Sequence, residues 1–154
     1  MAAVLMSLDV ARAGDYATEL QFGGVAEWSL ASDASRLGPS VSLEQEVIPR
    51  QLQIELGFDR FHEANSTESE FEISLKKPFE LGPDAELTVG LGPTWARSSG
   101  IAAQSHAVDG EFSLDFQFSL TGRWGWYIEP SYQFGGSQNS DRSAGLSMGL
   151  LLGF

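Results

Sequence analysis

Cysteine is absent from the 154 residues and histidine occurs only twice, at His62 and His106. The first absence removes any disulfide framework, which suits the periplasm or the outer membrane without proving either. The second leaves no histidine-rich set for a metal, and no D-x-D-x-D-G-type loop takes its place. Basic residues are scarce too, nine Lys and Arg against twenty-one Asp and Glu, for a net charge of -12. No stripe able to neutralise phosphates can be assembled, so nucleic acid is excluded as a partner and small cations fit better. Long apolar runs are also missing. Nothing past residue 15 approaches the about eighteen consecutive apolar residues of a membrane helix, and a mean hydropathy of -0.10 is too polar for a helical membrane protein.

What the chain does have is two-residue alternation. In Ser143–Phe154 the even positions are apolar and the odd ones, Leu151 apart, are small or polar. Seven earlier segments repeat the pattern. Leu20, Phe22, Ala26 and Trp28 oppose Glu19, Gln21 and Glu27, and Val41, Leu43 and Val47 oppose Ser42, Glu44 and Glu46. After a turn at 48–50, Leu52, Ile54, Leu56 and Phe58 oppose Gln51, Gln53, Glu55 and Asp59. Phe71, Ile73 and Leu75 face away from Glu70, Glu72, Ser74 and Lys76, and Leu87, Val89 and Leu91 from Glu86, Thr88 and Gly90. The last two set Phe112, Leu114, Phe116, Phe118 and Leu120 against Glu111, Ser113, Asp115, Gln117 and Ser119, and Trp124, Trp126, Ile128, Tyr132 and Phe134 against Gly125, Tyr127, Glu129, Ser131 and Gln133. Gln45 breaks the apolar parity, and Pro130 deletes a ladder donor, so a bulge or local twist is expected there.

An even number of such strands can close with lipid outside and polar groups inside. The pattern predicts an all-β protein, a single eight-stranded antiparallel up-and-down transmembrane β-barrel over 14–154. Residues 1–13 read as the remnant of a truncated signal peptide, an apolar run followed by Ala11-Arg12-Ala13, although a basic n-region is missing and Asp9 intrudes. The connections alternate: 29–40, 62–69 and 95–108 are long, 48–50 and 121–123 short, 77–83 moderate and 135–142 moderately long. Tight periplasmic turns and longer outer loops have this asymmetry, which puts both termini in the periplasm. Aromatics then mark two interfaces: Trp28, Phe58, Trp95, Tyr132 and Phe134 outside, and Phe79, Phe118, Trp124, Trp126 and Phe154 toward the periplasm. A soluble barrel with the apolar parity inward meets a volume objection, because about four large side chains per strand must fit a bore that ordinary side chains already fill. A two-sheet sandwich escapes it, but the meander and the aromatic ends favour the membrane form.

The blocks Lys76-Lys77-Pro78-Phe79, Gly90-Leu91-Gly92-Pro93-Thr94-Trp95 and Gly125-Trp126-Tyr127-Ile128-Glu129-Pro130-Ser131-Tyr132 carry a resemblance over most of 41–154. With them the chain resembles a group of small proteobacterial outer-membrane β-barrel proteins. The resemblance implies fold and location and carries no activity. Phe154 also looks like the C-terminal aromatic that such barrels present to the barrel-assembly machinery, and outer-membrane lipid and lipopolysaccharide are the expected surroundings.

Folded this way, the bore holds Glu19, Glu27, Glu44, Glu46, Glu55, Asp59, Glu70, Glu72, Glu86, Glu111, Asp115 and Glu129, answered from a strand only by Lys76. So many like charges cannot all ionise unless water, cations or arginines compensate, so the bore is either wet or partly protonated. Arg97, Arg123 and Arg142 are candidates to fold inward. One reading is a cation-favouring lumen with an acidic outer mouth of Glu27, Asp59, Glu70 and Glu111; the other is a structural barrel whose interior is simply polar. A third is a barrel that captures a ligand through its outer loops. A lipid-modifying enzyme using His62 with Glu63 and Ser66, or Ser105-His106 with Asp109, has no recognisable motif behind it, and we assign no catalytic residue, cofactor or metal.

Overall fold

The computed structural model describes residues 17–63, 66–100, 104–135 and 142–154, with the side chains of 63, 100, 104 and 105 set aside. The signal-like segment 1–13 and most of the connection at 135–142 lie outside them. Eight strands follow in chain order: β1 (Thr18–Ser29), β2 (Ser35–Ile48), β3 (Leu52–Glu63), β4 (Ser66–Gly82), β5 (Ala85–Gly100), β6 (Gln104–Thr121), β7 (Trp124–Gly135) and β8 (Ser143–Gly153). Each pairs antiparallel with the next, and β8 pairs back to β1 from Glu19↔Gly153 to Ser29↔Ser143, so the sheet is a closed barrel.

Solvent preference explains which way the strands face. Leu56, Phe58, Phe71, Leu75, Leu91, Phe112, Met148 and Leu150 are exposed on the outer wall, whereas Glu44, Glu55, Lys76, Thr88, Asp115 and Gln117 are buried in the bore. Phe112 at 40% exposure three residues from Asp115 at 0% decides the parity. Such an arrangement is stable only if hydrocarbon, not water, surrounds the wall. Aromatic pairs gather at the two ends: Phe71 with Trp95 and Tyr132 with Phe134 at one, Phe118 stacked on Trp126 at 4.3 Å and Phe22 edge-on to Trp124 at the other.

The latter end holds the tight turns and is called the turn end here; the other is the loop end. At the turn after β2, Pro49 supplies the fixed φ and Arg50 takes φ +57°, while the Gln51 amide donates to the Ile48 carbonyl at 2.9 Å. Gly122, at φ +56°, plays the corresponding part after β6. Gln45 is no flaw in this setting. It sits at the turn end, exposed, where its amide donates to the Ala17 carbonyl at 2.7 Å and its Oε1 accepts from Thr18 Oγ1 at 2.7 Å.

Three expectations are corrected. Most of the segments expected as long loops at 62–69 and 95–108 is strand, since the β3–β4 ladder reaches Glu63↔Ser66 and the β5–β6 ladder Ser99↔Gln104; β2 begins at Ser35 and β4 runs to Gly82. Beyond the hydrocarbon the outward positions need not be apolar, so the ladder continues after the alternation has stopped. Of the bulge or local twist expected at Pro130, the bulge is absent. The β6–β7 ladder steps from Ser113↔Ser131 to Phe116↔Ile128 without changing register, leaving Pro130 paired only toward β8, at Leu146.

Candidate functional site

Every one of the twelve acids expected in the bore lies on the inward parity of its strand. Nine are buried, and Glu46, Asp59 and Glu72 are half-buried. Six of them fall into two charged layers, gathered by two cations on different strands.

Lys76 of β4, fully buried, organises the layer nearer the turn end. Its Nζ lies 2.7 Å from Glu55 Oε2, 3.0 Å from Glu129 Oε1, 3.6 Å from Asp115 Oδ2 and 3.7 Å from Glu44 Oε2. Amides and a hydroxyl complete it: Gln21 and Gln117 both donate to Asp115 Oδ2, at 2.7 and 2.9 Å, and Ser42 donates to Glu55 at 3.1 Å. Breaking one partner of such a buried set is costly, because the remaining charges stay desolvated.

Arg36 of β2 organises the second layer, at the loop end. Its guanidinium pairs with Glu27, Glu68 and Glu70 and lies 4.1 Å from the centre of the Phe61 ring, which is buried on the inward side of β3. Gln133 ties this layer together by donating to Glu70 and Glu111, both at 3.0 Å, while accepting from Ser143 at 3.1 Å. Burial opposes ionisation of Glu68, but the Ser98 hydroxyl and Arg36 outweigh it, so its carboxyl is held below the ordinary range.

Arg36 and Phe61 are the residues the alternation did not reveal. The apolar signature of β2 and β3 fades before these positions, and only the extension of the ladder puts both inside. Arg97, Arg123 and Arg142, expected as candidates to fold inward, are all exposed. The loop-end mouth is accordingly no bare ring of carboxylates: Glu27 and Glu70 are taken up by Arg36.

Between the layers lies a polar cavity of about 30 Å³, lined among others by Asp59, Glu72, Glu111, Tyr127 and Ser131. It has room for about two water molecules. Below it Lys76, Asp115, Gln117, Thr88 and Ser74 have no accessible surface, so packed side chains block the bore on that side. His62 and His106 are exposed on the outer wall, Asp109 lies on the inward parity of β6, and the side chains of Glu63 and Ser105 are outside the described residues. No group of three potential metal ligands occurs among the described residues. Of the aromatics expected at the interfaces, Trp28, Trp124, Trp126, Phe134 and Phe154 are exposed on the outer wall, while Trp95 stands five residues before the end of β5, paired with Phe71, and Tyr132 pairs with Phe134.

A closed eight-stranded wall, apolar without and charged within, is the architecture of the small bacterial outer-membrane barrels. Among solved structures, Neisserial surface protein A superposes with a TM-score of 0.70 at 15% identity, over 89% of this chain and 96% of that one. The attachment invasion locus protein Ail of Yersinia pestis gives 0.60 at 11% identity, over 89% and 96%. OprG of Pseudomonas aeruginosa gives 0.63 at 8% identity, over 89% and 95%. No family model and no curated protein matches the chain.

Proposed function

We propose that this chain is a bacterial outer-membrane barrel that works at the cell surface through its loop end, with a sealed bore that serves stability rather than permeation. Both termini then belong to the periplasm, with the turn end, and the exposed Phe154 there is available to the barrel-assembly machinery. The observation that carries this reading is Lys76, held at zero exposure by four carboxylates. A hydrated ion entering from the loop end would have to part Arg36 from three acids and then Lys76 from four. The strands support the surface role: β4, β5 and β6, at 17, 16 and 18 residues, exceed the 9–11 or so that cross a bilayer, and so carry an ordered platform past it. Two structural neighbours bear the names surface protein and attachment invasion locus protein.

The wild-type protein in planar bilayers should give no steady conductance. Arg36→Ala combined with Lys76→Ala, which shortens the side chain at the plug, should give cation-selective events, reduced in selectivity by Glu111→Gln. Steady cation current through the wild type would overturn the sealed bore and return the acidic lumen to the role of a pathway, a reading favoured by the excess of inward acids over the two inward cations.

A further inference from the structure

Parity sorts charge at the loop end of β3–β6. Asp59, Glu68, Glu70, Asp109 and Glu111 all stand on inward positions. The outward positions of the same stretches carry Arg60 and His62 on β3, Thr67 and Ser69 on β4, Arg97 and Ser99 on β5, and His106 and Val108 on β6. None is acidic, in a chain of net charge -12. The register makes a row of them: Arg60 pairs with Ser69, Ser69 with Arg97, and Arg97 with His106. Both histidines of the chain stand in this patch. Arg60, His62, Arg97 and His106 are exposed.

The row one outward step nearer the turn end is Phe58, Phe71, Trp95 and Val108, again in direct register. Phe71 and Trp95 touch ring to ring at 5.9 Å, marking the depth where hydrocarbon gives way to headgroups. The next outward side chain on each strand is about 7 Å further along, so Arg60 and Arg97 reach out at headgroup level. They stand two strands apart, about 10 Å, with the Ser69 hydroxyl between them.

From this we infer that the outer wall of β3–β5 holds a phosphate of an anionic outer-leaflet lipid headgroup, clamped by Arg60 and Arg97 over Ser69. The argument for this occupant is charge complementarity at a defined depth. A guanidinium presents a planar fork to phosphate oxygens, and two of them flanking a hydroxyl make a cradle for one phosphoryl group. His62 and His106 extend the donor surface to either side. The inference rests on the outer-membrane reading and gives the platform its lipid partner.

The test uses the full chain in nanodiscs of phosphatidylcholine containing lipopolysaccharide, either intact or enzymatically dephosphorylated, with bound glycolipid measured by native mass spectrometry. Intact lipopolysaccharide should bind at least about tenfold more tightly than the dephosphorylated form, the worth of one charge-assisted contact. Arg60→Gln/Arg97→Gln should erase that difference and Arg97→Glu should reverse it, while Arg123→Gln at the turn end should leave it unchanged. Equal binding of the two glycolipids by the wild type, or undiminished phosphate preference in the double variant, would overturn the clamp. Loss of binding in the double variant with no phosphate dependence would also overturn it, because the arginines would then be holding another part of the glycolipid. Failure of the wild type to enter nanodiscs of any composition would instead overturn the membrane reading on which the clamp rests.

Discussion

A single lysine sets the charge balance of the layer nearer the turn end. Lys76 answers Glu44, Glu55, Asp115 and Glu129 at once, in a space with no accessible surface at the ammonium. Replacing it by Met keeps the length of the side chain and removes the charge, leaving four carboxylates buried against one another. We expect Lys76→Met to cost about 3–5 kcal/mol, measured by denaturant unfolding of the tryptophan fluorescence in detergent. Adding Glu55→Gln should recover part of the loss, because it removes one of the stranded acids; a double variant no more stable than the single one would show that Glu55 is not coupled to the lysine.

Along each strand the decisive quantity is the medium met by alternate residues. An arginine at Phe116, midway along the outward run of β6, should destabilise the barrel by about 2–4 kcal/mol, read from unfolding in lipid bilayers. This alternation was legible in the sequence along the middle of each strand, which is why the strand count and the inward parity of the acids were reached from residue order. It was not legible beyond the lipid. There the outward positions include Arg60, Ser69 and Arg97, so an outward polar residue no longer separates strand from loop, and the lengths of β2 and of β4–β6 were underestimated. Arg36 and Phe61 were missed for the same reason: each lies past the last apolar repeat of its strand, where only the ladder says which way a side chain points. Pro130 misled in another way. A missing donor on one side of a strand was absorbed by leaving two positions unpaired, and no residue had to be inserted.

For the barrel as a whole, the loop-end network acts as a brace, since Arg36 on β2 reaches Glu27 on β1 and Glu68 and Glu70 on β4, and Ser98 on β5 donates to Glu68. The Glu68 carboxyl ionises more readily here than its ordinary value of 4.5. A depressed carboxylate stabilises the fold above its unfolded pKa, and that contribution disappears as the pH falls through the folded value. The thermal midpoint of the wild type should therefore exceed that of Glu68→Gln by a constant margin above about pH 5, and the margin should shrink toward zero in stronger acid. A margin that persists at pH 2 would mean that the glutamate acts through packing rather than charge.

The seam between β1 and β8 has eleven register pairs, and the Phe154 amide donates to the Thr18 carbonyl at 2.9 Å. Around the circumference no strand is therefore first or last. A circular permutant that joins Phe154 to Thr18 through a short linker and is cut between Gly122 and Arg123 encodes the same ring of neighbours, so the position of the cut governs the order of synthesis and not the finished wall.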